Sequence, residues 1–119
     1  MGMLNGIRVL ECAELIAGPF CGKLLASLGA AVVKIEPPGT GDPSRAHGPF
    51  PDDKPDPERS GLYLYLNGGK RSLTLDVGAT EARPALERLV AGADLLVQDE
   101  SPSAPVRATA ARSGPRPVR

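Results

Sequence analysis

Hydrophobic positions along the chain fall into short runs of two periods, and their alternation predicts strands and helices in turn. Gly6 precedes Ile7, Arg8, Val9 and Leu10, a partly β-branched run of strand length. Residues 11–17 follow as a loop. Gly18 and Pro19 then predict a helix start, with Gly at the N-cap and Pro at the first helical position, where its missing N–H costs nothing. Phe20, Leu24, Leu25 and Leu28 recur at i, i+4, i+5 and i+8, an apolar stripe of helical period. Gly29 can adopt the left-handed conformation that closes a helix. Residues 30–35 form an apolar, β-branched run fit for a strand buried on both faces. Strand, helix and strand in this order make a βαβ unit, for which a right-handed crossover is expected.

The character changes after Glu36. Residues 37–43, Pro-Pro-Gly-Thr-Gly-Asp-Pro, exclude helix and central strand, and the stretch to Pro57 stays rich in Pro, Asp and Gly. A loop of that length in a compact domain is usually functional or disordered. Residues 60–66 alternate like a strand at Leu62, Leu64 and Leu66, yet Ser60 is a fair N-cap, and helix is the reading preferred. Residues 71–76 predict a strand. Thr80 is placed to cap a further helix with Glu81 near its positive end and Pro84 at the fourth position, and Ala82, Leu86, Leu89 and Val90 form its buried stripe before Gly92. Residues 94–98 predict a last strand. The fold class is therefore α/β, an incomplete parallel sheet of about four strands with flanking helices. Residues 1–100 form the folded part; residues 101–119, rich in Arg, Pro and Ala, are expected to be disordered because they offer too little apolar surface to offset their ordering entropy.

Composition narrows the functions open to such a layer. The 119 residues carry 14 basic and 14 acidic side chains, which argues against a nucleic-acid binder, whose phosphate contacts need a basic excess. Aromatic residues make up 3% of the chain, so stacking platforms are scarce. Cys12 and Cys21 match neither a zinc nor a redox pattern and fit a reducing cytoplasm. The first residues show no signal peptide, Gly6 stands where a myristoylation start needs Ser or Thr, and no run approaches a membrane span. A soluble, cytoplasmic protein is expected.

Ligands of open α/β sheets lie at the C-terminal ends of the strands, here the segments 11–18, 36–42 and 76–80. The helix start at Gly18 offers N–H groups and a positive dipole end to a phosphate. Glu36 ends the second strand where a dinucleotide-binding acid would hold a ribose, but Ala17-Gly18-Pro19-Phe20-Cys21-Gly22 is not GxGxxG, which argues against NAD. Gly39-Thr40-Gly41 lacks the Lys-Ser/Thr of a P-loop. His47, alone in a proline-rich loop, reads as incidental. Lys70 and Arg71 allow either a solvated turn or contact with a phosphate or ligand loop, and composition leaves both open.

In order and spacing, these motifs resemble the opening of the class III CoA-transferases, the CaiB/BaiF family. The resemblance rests on Gly6-Ile7-Arg8-Val9-Leu10, Ala17-Gly18-Pro19, Leu28-Gly29-Ala30, Val33-Lys34-Ile35-Glu36-Pro37-Pro38-Gly39 and Gly41-Asp42-Pro43. Leu66-Asn67, Lys70-Arg71-Ser72-Leu73-Thr74-Leu75-Asp76 and Ala93-Asp94-Leu95-Leu96-Val97 continue it, so that it runs from about Leu4 to about Pro102. It implies a Rossmann-like sheet completed by later parts of a longer chain, an interlocked homodimer that this shorter chain is not expected to form alone, and CoA transfer from an acyl-CoA to a carboxylate through an aspartyl intermediate. It also implies that Ile16 and Ala17, chiefly through backbone, and Leu75 and Asp76 line a coenzyme A site. Coenzyme A is then substrate, with no bound cofactor and no metal, and no partner among nucleic acids or membranes is implied. Pro37 stands where some relatives place an arginine, and Gln98-Asp99-Glu100-Ser101-Pro102 departs from the family pattern. The family nucleophile lies further on, and Asp42, Asp76, Asp94 and Asp99 are in the wrong context for it, so no catalytic residue is assigned and the chain alone is expected to be a truncated, inactive form. An α-methylacyl-CoA racemase fragment and a non-catalytic CoA-binding or interaction module are the alternatives.

Overall fold

Strand β1 (Arg8–Cys12), helix α1 (Ala17–Ser27) and strand β2 (Ala31–Glu36) form the first βαβ unit. The computed structural model describes residues 2–99 together with Val106 and Thr109. A long connection containing two 3₁₀ turns, Pro43–Ala46 and Pro51–Asp53, leads to the short helix α2 (Gly61–Asn67). Strand β3 (Arg71–Thr74), a 3₁₀ turn (Thr80–Ala82), helix α3 (Arg83–Ala91) and strand β4 (Leu95–Gln98) complete the second unit. The strands form one parallel sheet in the order β3-β2-β1-β4, so the fold is α/β as the pattern predicts. That order matches the first four strands of a dinucleotide-binding sheet, and the chain changes direction between β1 and β4.

The two faces of the sheet are covered differently. Leu10, Cys12 and Ile35 pack with Leu86, Val90 and Ala93 on the α3 side, and Val106 joins them at 0% exposure. On the α1 side, Val9, Ala30 and Val32 pack with Leu25 and Ala26. The tail expected to be disordered lies outside the described residues except for Val106 and Thr109, which are helical and buried. No helix among the described residues is long and apolar enough to cross a membrane.

Several local expectations change in detail. The fully buried residues of α1 are Gly18, Pro19 and Gly22; of the apolar stripe Leu25 packs inward, half-buried, whereas Phe20, Leu24 and Leu28 are 41%, 49% and 43% exposed. The cause lies beneath the helix: a Cβ on Gly18 would collide with that of Ala13, and one on Gly22 would meet the Glu11 carboxylate, so only the glycine face can approach the sheet. The first helix begins with Ile16 rather than Gly18 as N-cap, and Ala79 rather than Thr80 precedes the 3₁₀ turn, which puts Pro84 in the first turn of α3. Ser60 does cap α2, accepting from the Tyr63 N–H at 3.2 Å. Gly29 closes α1 at φ 103°, close against Gly2.

Candidate functional site

Charge is concentrated on the α1 side of the sheet, where the hydrophobic pattern gave no sign of it. Glu11 of β1 pairs with Lys34 of β2 in register, and their side chains meet at 2.9 Å. Lys34 also reaches Asp42 at 2.7 Å, and Lys70 reaches the other oxygen of Glu11 at 2.6 Å. All four side chains are at most 2% exposed. Two carboxylates against two ammoniums leave the quartet without net charge, the condition on which a low-dielectric interior tolerates ions. Burial alone would lower the Lys34 pKa, but the hydrogen bond to Asp42 and the charge of Glu11 outweigh it and hold the pKa above its usual value. Burial would likewise raise the Asp42 pKa, yet Lys34 and the Ser44 N–H bring it below the usual carboxylate range. For Lys70 burial wins over Glu11, and its pKa is lowered.

The quartet is tied to the loop between β1 and α1. Lys34 Nζ donates to the Ala13 carbonyl at 2.9 Å, and Asp42 Oδ1 accepts from the Leu15 N–H at 3.1 Å. Lys70 Nζ donates to Pro19 O in the first turn of α1 and to Asn67 Oδ1 at the end of α2, both at 2.8 Å. The Glu14 N–H donates to Asp99 Oδ2 at 2.8 Å, across the point where the sheet changes direction. Leu15 sits at φ 62°, the left-handed region, which costs a non-glycine residue about 1–2 kcal/mol.

A second polar cluster anchors the long connection. Arg45 grips Glu36 with Nε at 3.0 Å and Nη2 at 2.8 Å, while its Nη1 donates to Pro57 O at 2.9 Å. Its guanidinium stacks 3.7 Å over the Tyr63 ring, and Ser72 Oγ donates to Glu36 Oε2 at 3.1 Å. Burial opposes ionisation of Glu36, but Arg45 more than compensates and lowers its pKa. Both oxygens of Glu36 are thus engaged by the protein, which leaves it unsuited to a ribose.

At the C-terminal edge of the sheet a pocket of about 90 Å³ opens among Cys12, Ala13, Glu14, Ile35, Pro37, Leu75, Asp76 and Val77. Of the four residues expected to line a ligand site, Leu75 and Asp76 lie in its wall. Ile16 and Ala17 do not: they begin α1 at the same edge, exposed, with the N–H groups of the first turn preceding any acceptor within the helix. The facing wall is instead formed by residues 12–14, a few positions earlier. Asp76 uses one carboxylate oxygen to accept the Gly78 N–H at 3.1 Å. Pro37 lines the pocket and brings no charge. Among the described residues His47 enters through its backbone, donating to Ser44 O and accepting from the Ser60 hydroxyl. Lys70 proves to be a buried ion-pair member, and Arg71 is exposed.

Sequence reasoning missed the Glu11–Lys34–Asp42–Lys70 quartet, although a signal was present. Lys34 interrupts an otherwise apolar strand between Val33 and Ile35, and a charge in a strand covered on both faces requires a buried partner. What the sequence could not supply was the partner, because Asp42 and Lys70 come from loops whose return to the sheet depends on the whole fold.

The chain matches the model of CoA-transferase family III over residues 4–111. It is 46% identical over 99 residues to the succinyl-CoA:mesaconate CoA-transferase of Haloarcula hispanica, covering 83% of this chain and 25% of that protein. It is 41% identical over 98 residues to the succinate–glutarate CoA-transferase of Agrobacterium fabrum, covering 81% of this chain and 24% of that one. The crystal structure of a CaiB/BaiF family protein from Brucella suis superposes with a TM-score of 0.75 at 32% identity, covering 91% of this chain and 31% of that chain. The chain therefore spans about a quarter of the length of the curated relatives it matches.

Proposed function

This chain belongs to CoA-transferase family III, and on that premise we propose that it is the part of such an enzyme that receives coenzyme A, at the pocket between residues 12–14 and Leu75–Asp76. The observation that carries this reading is the position of that pocket: at the C-terminal edge of a parallel sheet of order β3-β2-β1-β4, next to the start of α1, where open α/β sheets take their ligands. A cavity of about 90 Å³ holds only a fraction of a cofactor-sized molecule, whose sites usually measure roughly 300–1,000 Å³. The rest of the ligand would lie along exposed Leu15, Ile16 and Ala17, with the first-turn N–H groups of α1 toward a phosphate.

The activity of the family, transfer of CoA between an acyl-CoA and a carboxylate, is the reaction this segment would serve. The family resemblance implies a nucleophilic aspartate further along than this chain, and in keeping with that Asp42 is locked to Lys34, Asp94 and Asp99 accept backbone N–H groups, and Asp76 accepts within its own turn. Alone, the chain is expected to bind and not to turn over. Cys12 and Cys21, with no disulfide between them, suit a cytoplasmic enzyme.

Titration of the chain with coenzyme A, followed by backbone amide shifts, tests the reading. The expected dissociation constant is roughly 0.1–1 mM, about −5 kcal/mol, with the largest shifts at Cys12–Gly18 and Leu75–Val77. Largest shifts beside Glu36 would indicate a dinucleotide-type site. Shifts confined to residues 101–119 would mean that phosphates merely find arginines, and either result overturns the assignment.

A further inference from the structure

The loop that carries the pocket-lining residues Ala13 and Glu14 and runs on to Leu15 is held by side chains that do not line the pocket. Successive backbone groups of this loop are each held by a side chain: the Ala13 carbonyl by Lys34, the Glu14 N–H by Asp99 and the Leu15 N–H by Asp42. Asp42 is suited to this role. One of its oxygens accepts from both Leu15 N and Ser44 N, at 3.1 and 2.8 Å, while the other is fixed by the Lys34 ammonium at 2.7 Å. The carboxylate is 1% exposed, so it cannot turn away toward solvent. Leu15 meanwhile occupies a backbone conformation that leucine avoids, and a free loop of this sequence would abandon it.

We infer that Asp42, steadied by Lys34, is a positioning residue that holds the loop between β1 and α1 in its ligand-ready shape, and so presets the coenzyme A pocket from the far side of the loop. This rests on the coenzyme A reading of the pocket, but the loop itself can be observed without ligand. Strain at Leu15 is maintained by the hydrogen bond from below. Without that bond, the loop visits the ligand-ready form about a tenth of the time, and the apparent affinity falls about tenfold.

The test compares Asp42→Ala with Asp42→Asn in the full chain. Amide hydrogen exchange is read without ligand, and coenzyme A affinity is read by titration. Asp42→Ala is expected to deprotect the Leu15 amide selectively, with Val9 and Val32 in the central strands still protected, and to weaken coenzyme A about tenfold. Asp42→Asn keeps an oxygen acceptor for the Leu15 N–H but turns an amide NH2 toward the Lys34 ammonium and leaves the quartet one positive charge in excess, so it is expected to fall between the parent and Asp42→Ala in both Leu15 protection and affinity. A general structural role would instead deprotect the strands together with the loop in the alanine variant. Leu15 protection and affinity both unchanged in Asp42→Ala would overturn the proposal. If Asp42→Ala does not fold, Asp42→Asn decides: a folded variant in which Leu15 protection and affinity do not fall together overturns it. If the parent chain does not bind coenzyme A, the pocket reading fails, and Leu15 exchange alone decides whether Asp42 holds the loop.

Discussion

Replacing Gly22 by alanine should destabilise the protein, although helix propensity alone says the opposite. In an exposed helix interior the exchange gains about 1 kcal/mol. Here the new Cβ would overlap Glu11 Oε1 and lie 3.0 Å from Glu11 Cδ and 3.2 Å from Lys70 Cε. A carboxylate is ordinarily flexible enough to step aside, but Glu11 is 0% exposed, with Lys70 at 2.6 Å on one oxygen and Lys34 at 2.9 Å on the other. Any displacement stretches one or both ion pairs in a region that water does not reach. Removing one partner of a buried pair costs about 3–5 kcal/mol, so a displaced one, less the helix gain, leaves a net loss of about 2–3 kcal/mol. For a domain of this size that lowers the Tm by about 10–20 °C. Thermal unfolding followed by far-ultraviolet circular dichroism at neutral pH measures it. Gly68→Ala is the control: Gly68 lies at φ −59°, and the nearest contact of its added Cβ is 3.7 Å from Leu64 O, so its Tm should stay within a few degrees. A Gly22→Ala protein as stable as the parent, or more so, would refute the close packing of α1 on the ion quartet.

Acid should unfold the protein through Asp42 and Glu36. Both have folded-state pKa values below their usual ones, so their stabilisation is fully present above the unfolded values and is lost as pH falls through the folded ones. Urea midpoints should be level from pH 7 to about 5 and fall below about pH 4, and a profile still level at pH 3 would contradict the ion-pair geometry. Leu24→Gln, on the outward stripe of α1, should change stability by less than about 0.5 kcal/mol while reducing concentration-dependent self-association in light scattering. A large loss of stability would return that stripe to the core.

Much of the architecture follows from local chemistry and was therefore legible in the chain. The runs at residues 7–10 and 30–35 and the helical repeats around Leu25 and Leu86 specify element type through the different periods of strand and helix. Ser60 announces the start of α2, and Gly29 the end of α1, because each supplies a local conformation or hydrogen bond that the terminus needs. The ordered motifs were sufficient to point to the family. Which face of α1 turns inward was a different matter. Periodicity favoured Phe20, Leu24, Leu25 and Leu28, of which only Leu25 packs inward; the sheet beneath presents Glu11, with Lys70 beside it, and the helix lays its glycines against them. The site divides in the same way. Strand ends pointed to Leu75 and Asp76, which lie in the wall of the pocket at the sheet edge, while the facing wall at residues 12–14 and the hydrogen bond from the Leu15 N–H to Asp42 emerged only once the long connection folded back. The reason is physical: a strand or helix is set by neighbours a few residues away, whereas a buried charge is stable only beside partners that the chain delivers from far along its length.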